Sequence, residues 1–145
     1  MKFQFIYHAV CAIQILATDW VGDVGIEGND AVEIAKTLKS HGCGIIDVST
    51  GQTTTDATPV YGRMFQTVLS EQVRNEADIP TIAVSKFTTW DQVNTIIATG
   101  RTDIVALARA YLTNPLLPWR QPHTAATKIN AGRSCMLQVR NNSHG

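Results

Sequence analysis

Four short apolar runs punctuate this chain: residues 12–18 (AIQILAT), 43–49 (CGIIDVS), 79–85 (IPTIAVS) and 103–108 (DIVALA). They are rich in β-branched residues and nearly continuous rather than alternating. A strand wet on one face alternates apolar with polar residues, whereas a continuous run calls for cover on both faces. Between the runs the period becomes helical. In residues 30–42 (DAVEIAKTLKSHG), Ala31, Ile34, Ala35 and Leu38 fall at i, i+3, i+4 and i+7. Asp30 and Glu33 make a capping-box-like start there, and Gly42 a stop. Residues 89–100 (TWDQVNTIIATG) repeat the design. Thr89 and Gln92 cap, Trp90, Val93, Ile96 and Ile97 form the stripe, and Gly100 ends it. Residues 67–77 (TVLSEQVRNEA) make a weaker helix with Val68, Leu69 and Val73 facing in.

The order is therefore β-α-β-α-β-α-β, which implies a parallel sheet with right-handed crossovers. A short last helix is expected around 111–119. Residues 121–145 are rich in Asn, Gly, Ser and Arg, have no clear period, and are expected to form a loosely ordered tail. Residues 1–120 are expected to form one unit. Two connections exceed what a βα unit needs, at 19–29 and 51–66. Both follow the C-terminal end of a strand, the edge that carries the chemistry in α/β folds. Arg109 stands at the exit of the last apolar run, where a fixed positive charge is well placed to meet an anion.

Charge narrows the partners. Twelve basic residues balance twelve acidic ones, so the chain lacks the electrostatic footprint of a nucleic-acid or anionic-membrane binder. Three cysteines, Cys11, Cys43 and Cys135, include no C-x-x-C pair, which suits a reducing cytoplasm. Cys43 is read as a small core residue inside a strand. No apolar run approaches the roughly 18 residues that span a bilayer. Lys2 and the apolar stretch after it imitate a signal peptide, but Gln4, His8 and Gln14 interrupt that stretch. It reads as a core strand with an apolar lead-in. Four scattered histidines show no metal-ligand spacing, and neither a Walker-type loop nor a G-x-S-x-G elbow is present.

Three stretches carry a family resemblance: 42–66 (GCGIIDVSTGQTTTDATPVYGRMFQ), 79–87 (IPTIAVSKF) and 100–115 (GRTDIVALARAYLTNP). They resemble the C-terminal half of the Old Yellow Enzyme family of FMN-dependent oxidoreductases. ATDW at 17–20 and the VYGRMFQT loop look most like the flavin barrel of salicylyl-CoA and anthraniloyl-CoA hydroxylases. The resemblance implies a partial (β/α)8 TIM barrel made of its last four β/α units, with FMN as cofactor, NAD(P)H as electron donor and a small-molecule substrate. It also implies that the loops after the last two strands cradle the FMN phosphate. Those loops typically read AVG and GR in the family; here they read Ala83-Val84-Ser85 and Ala108-Arg109. Ser85, Lys86, Ala108 and Arg109 become the expected phosphate residues, helped by a helix N-terminus opening at 88–90. The two lost glycines are harmless if φ is negative and costly if it is positive. Gln14 takes the place of the family arginine beside the flavin ring, and Leu16 that of a serine. Neutral Gln14 supplies a hydrogen bond without a charge. No catalytic residue is assigned, because the family's carbonyl-holding pair belongs to the first four strands.

Two functions follow from this reading. One is an FMN-binding oxidoreductase present as a C-terminal fragment, completed by an N-terminal half-barrel. The other is a non-catalytic half-barrel that self-associates as a homodimer or binds a phosphate-bearing ligand. Four strands alone leave two sheet edges and one apolar face to be covered, which favours association.

Overall fold

The computed structural model describes residues 10–51, 54–113, 127–128 and 136–139. The apolar runs form strands β1 (Ala12–Leu16), β2 (Ile45–Ser49), β3 (Thr81–Val84) and β4 (Ile104–Ala106). Each is a residue or more shorter than its run. Helices α1 (Gly28–Ser40), α2 (Thr67–Glu76) and α3 (Trp90–Ala98) lie between them, and a short α4 (Arg109–Thr113) follows β4. The strands pair in chain order and in parallel, with Ile13 beside Ile46, Val48 beside Ala83 and Ala83 beside Val105. This is the sheet of an α/β barrel segment, as the alternating pattern requires. Of the helix expected at 111–119, the residues after Thr113 lie outside those described, as does the N-terminal lead-in.

Strand alternation sorts the side chains onto two faces. Ile15, Ile46, Val48, Ala83 and Val105 point to the helices and are buried. Ala31, Val32, Ala35 and Val73 pack against the first three, while Val93 and Ile96 pack against the last two. The continuous apolar runs are thereby explained on the helix side. The other face is mixed, because Gln14, Asp47 and Ser49 interrupt Ile45, Ile82 and Ile104. Ile82 on this face is nevertheless fully buried.

Three helix details differ from the sequence pattern. The capping box of α1 is Glu27 with Asp30, one turn earlier than Asp30 with Glu33. Ile34 is exposed, and Val32 is buried in the core instead. In α2 the buried face is Thr67, Ser70 and Val73, with Val68 exposed. Thr67, Ser70 and Val73 recur every three residues and so share one helix face, on which Val68 does not lie. The small Thr67 and Ser70 win because α2 lies close on the sheet. There Ser70 Oγ donates to Thr81 Oγ1 and Thr102 Oγ1 at 3.1 and 3.3 Å. Cys43 is buried as expected, but just before β2 rather than within it. The Thr89–Gln92 capping box of α3 forms as the sequence implies.

The tail region adds two short strands, β5 (Thr127–Lys128) and β6 (Met136–Val139). Strand β6 lies antiparallel on β4, with Val105 opposite Leu137, and β5 lies antiparallel on β6. One of the two sheet edges expected to be free is thus paired by the chain itself. The other edge is β1, which pairs only with β2 among the described residues.

Candidate functional site

The C-terminal ends of β3 and β4 lie side by side. Val84 pairs with Ala106, so the register carries Ser85 past Leu107 and brings Lys86 level with Ala108. Four of the five expected site residues therefore meet at one strand exit. Lys86, Ala108 and Arg109 are exposed there and Ser85 is half-buried. Arg109 makes no ion pair or side-chain hydrogen bond among the described residues, and neither does Lys86. Two cations without partners among the described residues, at adjacent strand exits, leave donors available for an anion.

The backbone answers the glycine question. Among the described residues, positive φ occurs at Trp20, Met64, Asp78 and four glycines, and neither Ser85 nor Ala108 is among them. Both positions hold conformations open to any L-residue, so the loss of glycine costs no backbone strain. The α3 terminus departs from expectation. Gln92 Oε1 accepts from the amides of Thr88 and Thr89 at 2.8 and 3.4 Å, and the Thr89 side chain accepts from the Gln92 amide. The amides of Thr88, Thr89 and Gln92 are thus used inside the capping box and are not open to an anion.

Gln14 sits apart, at the middle of β1. Three strand spacings, about 14 Å, separate β1 from β4. Gln14 Nε2 donates to Ser49 Oγ at 3.1 Å, and that hydroxyl donates to the Ile15 carbonyl at 3.2 Å. Asp47 is the register partner of Gln14. The sequence reading missed Asp47 as more than a break in an apolar run, though a carboxylate amid IIDVS is itself the signal. Its Oδ1 is buried without a hydrogen-bond partner among the described residues. Burial pushes its carboxyl above the ordinary value of 3.8.

That shift has a sign. A carboxyl with a raised folded-state pKa binds its proton more tightly in the folded chain. Its contribution is intact below pH 3.8 and is lost as pH rises through the folded value. Asp47→Asn should therefore stabilise the protein at pH 7 by on the order of 1 kcal/mol, the scale of one unsatisfied polar group. The gain should vanish near pH 3. Urea unfolding of both proteins at the two pH values checks this, and a destabilised variant at pH 7 contradicts it.

The two long connections, 19–29 and 51–66, close on one another. The first folds around Asp19, whose Oδ1 accepts from the Val21 amide at 3.4 Å and Oδ2 from the Ile26 amide at 3.2 Å. Glycine at 25 leaves room for this carboxylate, since a Cβ there would lie 2.1 Å from Asp19 Oδ1 and displace it. The second loop is tied to the first by Thr58, whose amide donates to the Trp20 carbonyl at 3.0 Å. Phe65 packs on Trp20 at 6.4 Å between centroids and on the edge of Tyr61 at 5.5 Å. Trp20 and Met64, one in each loop, both hold left-handed backbone, at φ 64° and 58°. A cavity of about 400 Å³ opens beside them, walled by Trp20, Glu27, Phe65, Val68 and Leu69. Among the described residues no group of three or more His, Cys, Asp or Glu is placed to hold a metal ion.

A parallel β/α sheet with cations gathered at its strand exits defines a class of α/β barrel protein that uses this edge for ligands. The comparisons sharpen the class. Residues 13–128 match the model of the NADH:flavin oxidoreductase / NADH oxidase family, and the chain belongs to that family. The NADPH dehydrogenase of Geobacillus sp. (strain WCH70) is 36% identical over 119 residues, which are 82% of this chain and 34% of that protein. The NADPH dehydrogenase of Clostridium acetobutylicum is 35% identical over 103 residues, 71% of this chain and 30% of that protein. The chain thus spans about a third of the length of these curated relatives. The structure of histamine dehydrogenase from Rhizobium sp. 4-9 superposes with a TM-score of 0.61 at 20% identity, over 75% of this chain and 16% of that one. That likeness shows a shared fold.

Proposed function

We propose that this chain forms the phosphate-binding half of an FMN-dependent NAD(P)H oxidoreductase barrel, its strands β1–β4 taking the place of the barrel's last four. The observation that carries the reading is the meeting of Arg109, without a side-chain partner among the described residues, with the Ser85–Lys86 turn at adjacent strand exits, on backbone without strain. Arg109 would give a charge-assisted bond to the phosphate, Ser85 a hydroxyl, and Lys86 and Ala108 their amides. Gln14, on the face away from the helices, would meet the polar edge of the ring with its carboxamide. Bound FMN would supply hydride transfer between NAD(P)H and a small-molecule substrate. The protein's own part is to anchor, orient and exclude water. The cavity between Trp20 and Phe65 borders the loop face on which a substrate would enter. The order of the motifs, and VYGRMFQ in particular, supports kinship with the salicylyl-CoA and anthraniloyl-CoA hydroxylase barrels.

Closing such a barrel takes four more strands against the β1 edge, and a complementing N-terminal half-barrel is the partner that fits. A homodimer through that edge is the alternative. The thiols of Cys11 and Cys43, unpaired among the described residues, agree with a cytoplasmic setting. No helix among those residues is long and apolar enough to cross a membrane.

Titration of the purified chain with FMN and with riboflavin, followed by flavin fluorescence, tests the reading. FMN should bind at least about tenfold more tightly, since riboflavin lacks the phosphate that these residues hold. Equal affinities, or binding of neither, would overturn it.

A further inference from the structure

We infer that Gln66 is a positioning residue that sets the phosphate turn after β3. This inference rests on the proposed phosphate site at Ser85 and Arg109. Gln66 occupies the N-cap of α2, yet its side chain makes no cap hydrogen bond. An N-cap side chain ordinarily serves the amides of its own helix. This one is buried and directed elsewhere. Its carboxamide lies between Thr50, the residue after β2, and the carbonyl of Val84, the last residue of β3. The orientation that satisfies all of these groups turns Oε1 to Thr50, accepting from Oγ1 at 2.7 Å and from the amide at 3.3 Å. Nε2 then donates to the Val84 carbonyl. The backbone amide of Gln66 reaches the Ser85 hydroxyl at 3.4 Å.

One residue thus fastens three things together: the exit of β2, the exit of β3 and the start of α2. Its contacts fall on Val84 and Ser85, directly before the turn that faces Arg109. The Ser85 oxygen accepts from Gln66, which leaves its O–H free to donate to a phosphate oxygen. The Val84 carbonyl, held from the helix side, cannot rotate the following peptide out of place. Gln66 touches no ligand itself. Its effect should fall on the phosphate and spare the ring.

The test is a titration of wild type, Gln66→Met and Arg109→Ala with FMN and with riboflavin. Methionine keeps the length and apolar volume of glutamine and removes both hydrogen-bonding groups. Gln66→Met should weaken FMN about tenfold, the equivalent of one ordinary hydrogen bond, and change riboflavin by less than about twofold. A merely structural role would weaken both flavins alike, and that result overturns the inference. So does an unchanged FMN affinity in Gln66→Met beside a selective loss in Arg109→Ala, which would leave the phosphate site standing without Gln66. Wild type that binds neither flavin would instead remove the phosphate site, and the inference with it. Thr50→Val keeps Gln66 and deletes one of its anchors. It should show the same FMN-selective loss at about threefold, and it carries the test if Gln66→Met does not fold.

Discussion

Asp103→Ala is expected to destabilise the chain by about 2–3 kcal/mol, the range for breaking a half-buried ion pair that also satisfies a buried amide. Asp103 lies just before β4. Its carboxylate accepts from Arg74 Nε at 3.0 Å and Nη2 at 3.2 Å, a two-pronged contact with α2. Its Oδ2 also accepts from the amide of Thr81 at 3.0 Å, and Thr81 is fully buried. Removing the carboxylate leaves that amide without its acceptor and Arg74 without its partner. The second ion pair between α2 and the approach to β4, Arg101 Nε to Glu71 at 2.6 Å, cannot substitute, because it reaches no backbone group. Asp103→Asn keeps one oxygen for Thr81 and Arg74 Nε but loses the charge and the acceptor for Arg74 Nη2, so its cost should be smaller, about 1 kcal/mol. Urea unfolding separates the two variants through the midpoint at constant slope. A loss below about 0.5 kcal/mol for Asp103→Ala, the level of an ordinary surface change, would show that this pair does not hold α2 to the sheet.

This pair also shows where reading the sequence stops. Arg74 and Asp103 are 29 residues apart, and nothing in either stretch names the other. Strand order and helix placement were legible because continuous apolar runs and the 3.6 period are local signals. The Thr89–Gln92 box was legible for the same reason. The α1 cap was not, because Glu27 is an unusual N-cap residue and Asp30 stands where a cap would be expected. The face of α2 was misread because Val68 outranks Ser70 on apolarity. Close packing on the sheet reversed that order by favouring the smaller residues. Of the candidate site, Ser85, Lys86, Ala108 and Arg109 came from motif order, and the register of β3 and β4 brings them together. Gln66 escaped because its meaning lies in Thr50 and Val84, at the ends of two different strands, and Asp47 because it was taken only as a break in an apolar run. The amides of Thr88 and Thr89 were credited to a ligand although Gln92, visible a few residues on, had a prior claim to them.

Arg109→Ala is expected to lower FMN affinity by on the order of 1.5–3 kcal/mol, the range for a hydrogen bond to a charged group. That is a loss of roughly 10- to 150-fold. Arg109 opens α4 directly after the β4 exit and is exposed, with no partner among the described residues to release or replace. Its removal therefore orphans no group among the described residues. Stability should stay within about 0.5 kcal/mol of wild type, as for a surface substitution. The variant thus separates binding from folding, whereas Asp103→Ala would lower stability and weaken every flavin alike. Riboflavin affinity should be nearly unchanged in Arg109→Ala, because the guanidinium has no phosphate to meet. Raising the salt concentration should narrow the gap between wild type and variant for FMN, since an exposed charge pair is screened over about 10 Å at 0.1 M ionic strength. Arg109→Lys should recover part of the loss, because an ammonium keeps the charge and gives up the two-pronged geometry of guanidinium on phosphate. Fluorescence titration of the three proteins with both flavins, at low and at high salt, checks each step. Equal losses for FMN and riboflavin would take Arg109 out of the phosphate site and leave it a surface charge at the end of a strand.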